Sequence, residues 1–107
     1  LPIFLLIEGA GGLYVPLDEE YMIIDLIKHF NANALLVTHC SLGCINDTLL
    51  SEEALKNKNI KYITAFNCRD NNKSFSKISQ PYFANTRDKI LKVDENIDTI
   101  CDVLYNL

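Results

Sequence analysis

Apolar positions along the chain follow two rhythms. Residues 3–7 (Ile-Phe-Leu-Leu-Ile) form an unbroken apolar run, and Ala34 to Val37 or Thr38 and Ile60 to Phe66 form two more, the last closing on Asn67. Short continuous runs bounded by glycine or polar residues read as strands buried on both faces, as in a parallel sheet. Between the first two, Ile23, Leu26, Ile27 and Phe30 recur at i, i+3, i+4 and i+7, which predicts one buried helical face. Asp18 is the expected cap of that helix, with Glu19 and Glu20 in its first turn, and the helix ends near Asn31.

A second helix is expected to start around Cys44 to Asn46 and to run to about Asn57, with a break near Ser51. The polar stretch from Asn67 to Ser79 reads as a surface loop with one short helix, punctuated by Pro81-Tyr82. Ile90 to Val93 is expected as a short strand. Asp94 then caps a last helix with Ile97, Ile100, Cys101 and Leu104 on its inner face.

Strands alternating with helices mean parallel strands joined by right-handed crossovers, an α/β fold. Ligands bind such sheets at the carboxyl ends of the strands. Glu8, the turn Gly9-Ala10-Gly11-Gly12, the loop from His39 to Asn46, and Asn67 all follow predicted strands, so they fall on one rim.

Each has a chemical reading and a plain structural one. Glu8 is placed to hold Mg²⁺ beside a nucleotide, or is a solvated strand-end acid. The glycines permit close backbone approach to a ligand, or simply make a tight turn. Leu42-Gly43-Cys44-Ile45-Asn46 opens a helix whose free N–H groups suit an anion, or is capped by Asn46 or Asp47 without a ligand. Asn67 offers a donor and an acceptor to a base edge, or forms a turn. His39 lies on the rim with no Ser or Asp partner assignable from sequence, so a nucleophilic triad is not supported.

Composition narrows the classes. Of 107 residues, 49% are apolar and 22% charged, enough for a core and against disorder. The net charge of −4, with scattered Lys and Arg, argues against a nucleic-acid partner. No apolar run reaches the ~18 residues of a membrane span. The four cysteines, Cys40, Cys44, Cys68 and Cys101, form no CxxC pair and read as free thiols of a cytoplasmic protein. The opening Leu1-Pro2, leading directly into a buried-strand pattern, gives the expectation of a fragment.

Read together, these segments resemble dethiobiotin synthetase. Glu8-Gly9-Ala10-Gly11-Gly12 with Val15-Pro16-Leu17 is similar to that family's EGAGG-x-x-x-P-L signature. Leu42-Gly43-Cys44-Ile45-Asn46 is similar to its L-G-x-I-N motif, and Thr48-Leu49-Leu50-Ser51 to the T-L-L-T that follows. Asn67 and Pro81-Tyr82 resemble its base-pocket elements. The resemblance implies a P-loop-type parallel α/β sheet, a homodimer, and closure of the ureido ring of dethiobiotin from 7,8-diaminopelargonate and CO₂ with ATP and Mg²⁺. A carbamate forms on one amine, the γ-phosphoryl group activates it, and the other amine attacks. Such chemistry depends on positioning and charge neutralisation rather than on a protein nucleophile.

The resemblance also implies roles. Glu8 is a Mg²⁺ ligand. Gly11 and Gly12 lie against the diamine or carbamate. Gly43, Cys44, Ile45 and Asn46 receive the substrate carboxylate across a dimer interface. Asn67 contacts the base, with Pro81 and Tyr82 lining its pocket. Three departures stand out. The family's G-x-x-x-x-x-G-K-T phosphate loop, which precedes EGAGG, does not occur in residues 1–107, so the chain is expected to be the C-terminal part of one synthetase domain, inactive alone. Asp47 stands where many members carry His, and the stretch from Asn67 to Pro81 is shorter than usual. The competing expectations are a related P-loop amidoligase or ATPase, and a non-catalytic dimeric binding module.

Overall fold

The computed structural model describes residues 4–69 and 72–107. The element order is α1 (Ile23–His29), β1 (Ala34–His39), α2 (Cys44–Asn57) and β2 (Tyr62–Asn67). Then come α3 (Asn72–Ser74), a π-helical turn (Phe75–Ser79), α4 (Gln80–Thr86) and α5 (Ile97–Tyr105). β1 and β2 pair in parallel from Ala34↔Tyr62 to His39↔Asn67, joined by the α2 crossover. This is the α/β architecture with a parallel sheet that the alternation predicts.

Helices cover both faces of β2. Ile63 and Ala65 meet Leu91 and Ile100 on the α5 side, while Phe66 meets Phe75 and Phe83 on the other. A separate cluster of Ile24, Ala34, Ala54, Leu55 and Ile60 packs α1 and α2 against β1. Polar links tie α2 to the sheet. The Thr38 and Thr48 hydroxyls share a buried 2.7 Å hydrogen bond. Glu52 accepts from Thr64 Oγ1 at 2.6 Å and from both terminal nitrogens of Arg87 at 2.8 and 2.9 Å.

The ends of α1 and α2 are set by asparagine. Asn31 and Asn59 take positive φ, 50° and 56°, directly after the caps of α1 and α2. The N–H groups of Ala32 and Ile60 then reach back to the carbonyls of Ile27 and Leu55. This is the left-handed ending that asparagine tolerates better than other residues with a Cβ.

Several expectations are corrected. Phe4 to Ile7 are exposed and form no strand, because no described strand lies alongside to complete their hydrogen bonds; Ile3 lies outside the described residues. Asp18 does not cap α1. Its carboxylate accepts from the N–H groups of Glu20 and Tyr21, both at 2.8 Å, making a turn of its own. Asp25 instead reaches back to the Met22 N–H at 2.9 Å. The inner face of α1 is Ile24 and Ile27, and Phe30 is exposed, because the helix stops at His29 and Phe30 stands at its C-cap.

Helix α2 runs through Ser51 without a break. The polar stretch after Asn67 is largely helical from Asn72 onward, since Phe75, Ser79 and Phe83 share a buried side that outweighs its polar composition. Pro81 lacks an N–H and its ring clashes with the carbonyl four residues back, that of Lys77. The chain widens there into the π turn, closed by the Gln80 N–H bonding Phe75 O. The expected strand at residues 90–93 is one bridge, Phe66↔Lys92. Asn96, not Asp94, precedes α5 and accepts from the Lys92 N–H at 2.9 Å. Ile100, Val103 and Leu104 face inward, whereas Ile97 and Cys101 are exposed. Cys40 and Cys68 are not free thiols but a disulfide, because each directly follows a strand end and the strands lie side by side.

Candidate functional site at the carboxyl ends of the strands

The parallel register sets His39 opposite Asn67 at the strand ends. The next pair outward is Cys40 and Cys68, whose Cα atoms are 4.8 Å apart and whose sulfurs are bonded. The loop into α2 and the turn after β2 are thereby joined at one rim. This brings two of the predicted site segments together.

Gly43 opens α2 with φ 92° and ψ −2°, a left-handed conformation. The Cys44 N–H bonds Ser41 O and the Asp47 N–H bonds Gly43 O, each at 3.0 Å. Helical geometry gives the N–H groups of Ile45 and Asn46 no carbonyl inside the helix, so they are the ones open to an anion. The Cys44 side chain is buried and Ile45 packs on the same cluster, so only their backbones are available to a ligand. A Cβ at position 43 meets nothing within 4 Å, so the glycine is required by its φ rather than by space. Gly43→Ala is accordingly expected to lose about 1–2 kcal/mol in urea denaturation, from backbone strain alone. A loss below a few tenths would mean the turn readily changes conformation.

His39 has a partner that sequence reading missed. Its Nδ1 accepts from the Ser41 N–H at 3.2 Å. The proton therefore sits on Nε2, which donates to Asp47 Oδ2 at 2.7 Å. The ring spans the loop from the end of β1 to the first turn of α2. The available signal was spacing: a strand end followed by a short loop puts the last strand residue beside the first helical turn.

Glu8, Gly11 and Gly12 are placed differently from expectation. They stand in an exposed segment that follows no strand. Among the described residues Glu8 makes no hydrogen bond or ion pair. Gly11 takes φ 91° and Gly12 φ 110°. A Cβ on Gly11 would come within 2.9 Å of Val15 Cγ2, so the turn folds back on the segment that follows it. That segment is anchored on α1 through Ile23 N–H to Val15 O and Ile24 N–H to Leu13 O, both 3.0 Å. Pro81 and Tyr82 lie exposed in the first turn of α4, and the neighbouring Phe83 ring packs on Phe66 at 4.8 Å, next to Asn67 in the chain.

A hollow of about 380 Å³ lies elsewhere, between Leu13, Tyr14 and the α2 residues Leu50 to Asn57. Another, of about 250 Å³, opens at the amino ends of the strands near Asn33 and Lys61. Neither includes a rim residue. Among the described residues, no group of three or more His, Cys, Asp or Glu is placed to hold a metal ion, and no helix is long and apolar enough to cross a membrane.

The family profile described as "AAA domain" matches residues 3–103. The chain belongs to the AAA domain family. Its α/β form with a parallel sheet is the P-loop NTPase type of fold. Within that family it is similar to the ATP-dependent dethiobiotin synthetase of Sulfurovum sp. (strain NBC37-1), 51% identical over 79 residues, 74% of this chain and 38% of the relative. It is 41% identical over 103 residues to the enzyme of the same name from Wolinella succinogenes, 95% of this chain and 48% of the relative. A third, from Helicobacter pylori (strain Shi470), is 43% identical over 77 residues, 72% of this chain and 35% of the relative. The chain thus spans less than half the length of these relatives.

Proposed function

We propose that this AAA domain chain is the C-terminal part of a cytoplasmic, homodimeric dethiobiotin synthetase. The whole enzyme closes the ureido ring of dethiobiotin from 7,8-diaminopelargonate and CO₂, using ATP and Mg²⁺. The observation that carries the reading is the rim: a glycine-opened helix start and a strand-end Asn, side by side, in a chain 41% identical over 95% of its length to an enzyme of that name.

In this reading the backbone of Gly43 to Asn46 binds the substrate carboxylate. Asn67 addresses the base, with Pro81 and Tyr82 beside it, and Gly11 and Gly12 lie against the diamine or carbamate. Glu8 fits Mg²⁺ as one hard-oxygen ligand of several, since Mg²⁺ is usually held by one or two carboxylates together with phosphate and water. The ion would neutralise phosphate charge.

The sheet supports the claim that more protein belongs here. Leu35 and Val37 lie on the sheet face that α5 covers at β2 but leaves uncovered at β1. Phe4 to Ile7 form a second exposed apolar stretch. Further strands and helices of the same domain would bury both, and would bring the phosphate loop.

The test is product formation. Protein containing this segment and a phosphate loop should yield dethiobiotin from ATP, Mg²⁺, bicarbonate and diaminopelargonate, and residues 1–107 alone should not. Glu8→Gln should lower kcat by about 100-fold, the scale of losing one charge-stabilising group. Product from the isolated segment, or none from the whole protein, would overturn the reading.

A further inference from the structure

The end of the sheet carries a pair of groups that the proposed reaction does not use. Cys40 and Cys68 continue the β1–β2 register by one position and are joined, bridging a sequence separation of 28. On one side of the bond lies the Ser41–Gly43 turn into α2, and on the other Asn67 and Arg69. Among the described residues this bond is the covalent link between the two rim segments, beside the buried packing of Cys44 and Ile45 in the cluster that holds Cys68 and Phe66.

We propose that Cys40 and Cys68 are a reversible thiol–disulfide site that locks the two rim loops when oxidised and frees them when reduced. The reaction is exchange with a low-molecular-weight disulfide such as oxidised glutathione. One cysteine thiolate attacks it, forming a mixed disulfide and releasing one glutathione thiolate. The second cysteine thiolate then displaces the other. Two protein thiols lose their protons and are oxidised to one bond, and one glutathione disulfide is reduced to two thiols.

Two features suit the site to this. Parallel neighbours at the ends of a rigid ladder hold the sulfurs within bonding reach, so closure needs little chain movement. Both residues are buried, at 2% and 1% exposure, but they stand one position beyond the ladder, and the turn that follows Cys40 is open, with Leu42 at 92% exposure. Access to the sulfurs then needs local opening of the segments beyond the strand ends, not unfolding of the ladder.

The protein bearing these residues, full length, is equilibrated in glutathione buffers of varied ratio, alkylated and digested. Oxidised samples should give one cross-linked peptide pair joining Cys40 and Cys68, two hydrogens lighter than the separate peptides. Dithiothreitol should release it. Free Cys40 and Cys68 at every ratio, or a link through buried Cys44 instead, would overturn the proposal.

Hydrogen exchange of the 41–46 and 67–69 amides is the second readout. Protection should fall by about tenfold on reduction, as a tethered loop becomes free to open locally. It should not change with redox state in Cys40→Ser or Cys68→Ser. Equal protection in oxidised and reduced wild type would overturn the lock. These variants need not fold perfectly, because wild type alone decides both points.

The consequence for ligand rests on the proposed function. If the rim binds nucleotide, the oxidised form should bind ATP several-fold more tightly, since the loops are ordered beforehand. ATP binding to neither form would count against the proposed function and leave the redox readouts to stand on their own.

Discussion

Replacing Arg87 with alanine is expected to remove about 3–5 kcal/mol of folding stability, because it leaves a buried carboxylate without its counter-charge. Glu52 is 4% exposed. Its two oxygens are taken by the two guanidinium ends of Arg87, and one of them also by Thr64. Alanine removes both guanidinium donors and leaves a largely buried charge with Thr64 as its remaining donor among the described residues. Arg87 also sits over the Phe83 ring, 4.8 Å from its centroid, so packing is lost as well. A double change to leucine at both positions should be far milder, since it removes charge and counter-charge together. Urea denaturation followed by circular dichroism measures both. A loss below about 1 kcal/mol for Arg87→Ala would mean the pair behaves as a surface ion pair.

The pH dependence has a definite sign. Burial raises the Glu52 carboxyl, but the hydrogen bonds from Arg87 and Thr64, with the charges of Arg87 and Lys56, outweigh it and hold the group below its ordinary value. A carboxyl depressed in the folded state stabilises the protein above the unfolded-state value. That stability is lost as pH falls through the folded value. In Arg87→Ala the depressing partner is gone and burial remains, so protonation relieves the variant. The gap between wild type and variant should therefore narrow in acid.

Phe66→Ala is the second large effect, expected at about 3–5 kcal/mol. Phe66 is 1% exposed and its ring lies 5.0 Å from Phe75 and 4.8 Å from Phe83. The helices that carry Phe75 and Phe83 converge on it. Its backbone also bonds Leu91 O and the Val93 N–H. Those bonds hold the backbone in place, so the cavity should collapse only partly. Phe66→Leu should cost less than about 1.5 kcal/mol, because most of the volume is kept. The comparison in urea separates packing from backbone. Equal losses for alanine and leucine would show that ring shape, not filled volume, is what the site needs.

What the sequence revealed, and what it hid, divides along physical lines. β1, α2 and β2 were legible because each satisfies itself: two apolar runs with an intervening crossover, ended by Asn59 and opened by Gly43. The rim pairing of the Gly43 turn with Asn67 followed from that alternation alone. Phe4 to Ile7 were misread because an apolar run states a need for neighbours without supplying them. The helices from Asn72 to Thr86 were hidden because three buried positions, Phe75, Ser79 and Phe83, are spaced at four residues within a polar surround. The His39–Asp47 bond and the Cys40–Cys68 bond were hidden for another reason. Both join residues that only the finished register brings together, so neither has a local sequence signature.

The same register also orders events in time. Every rung of the β1–β2 ladder joins residues 28 positions apart, as does the cystine beyond it. Closing a loop of that length is unfavourable until the first rungs form, and parallel pairing returns little until several have formed. Helix α2 shortens the search by taking up half of the intervening chain and carrying Leu55 to the face that β1 must meet. The crossover helix is thus a kinetic element as well as a structural one: the two strands find each other at the pace at which α2 condenses onto them.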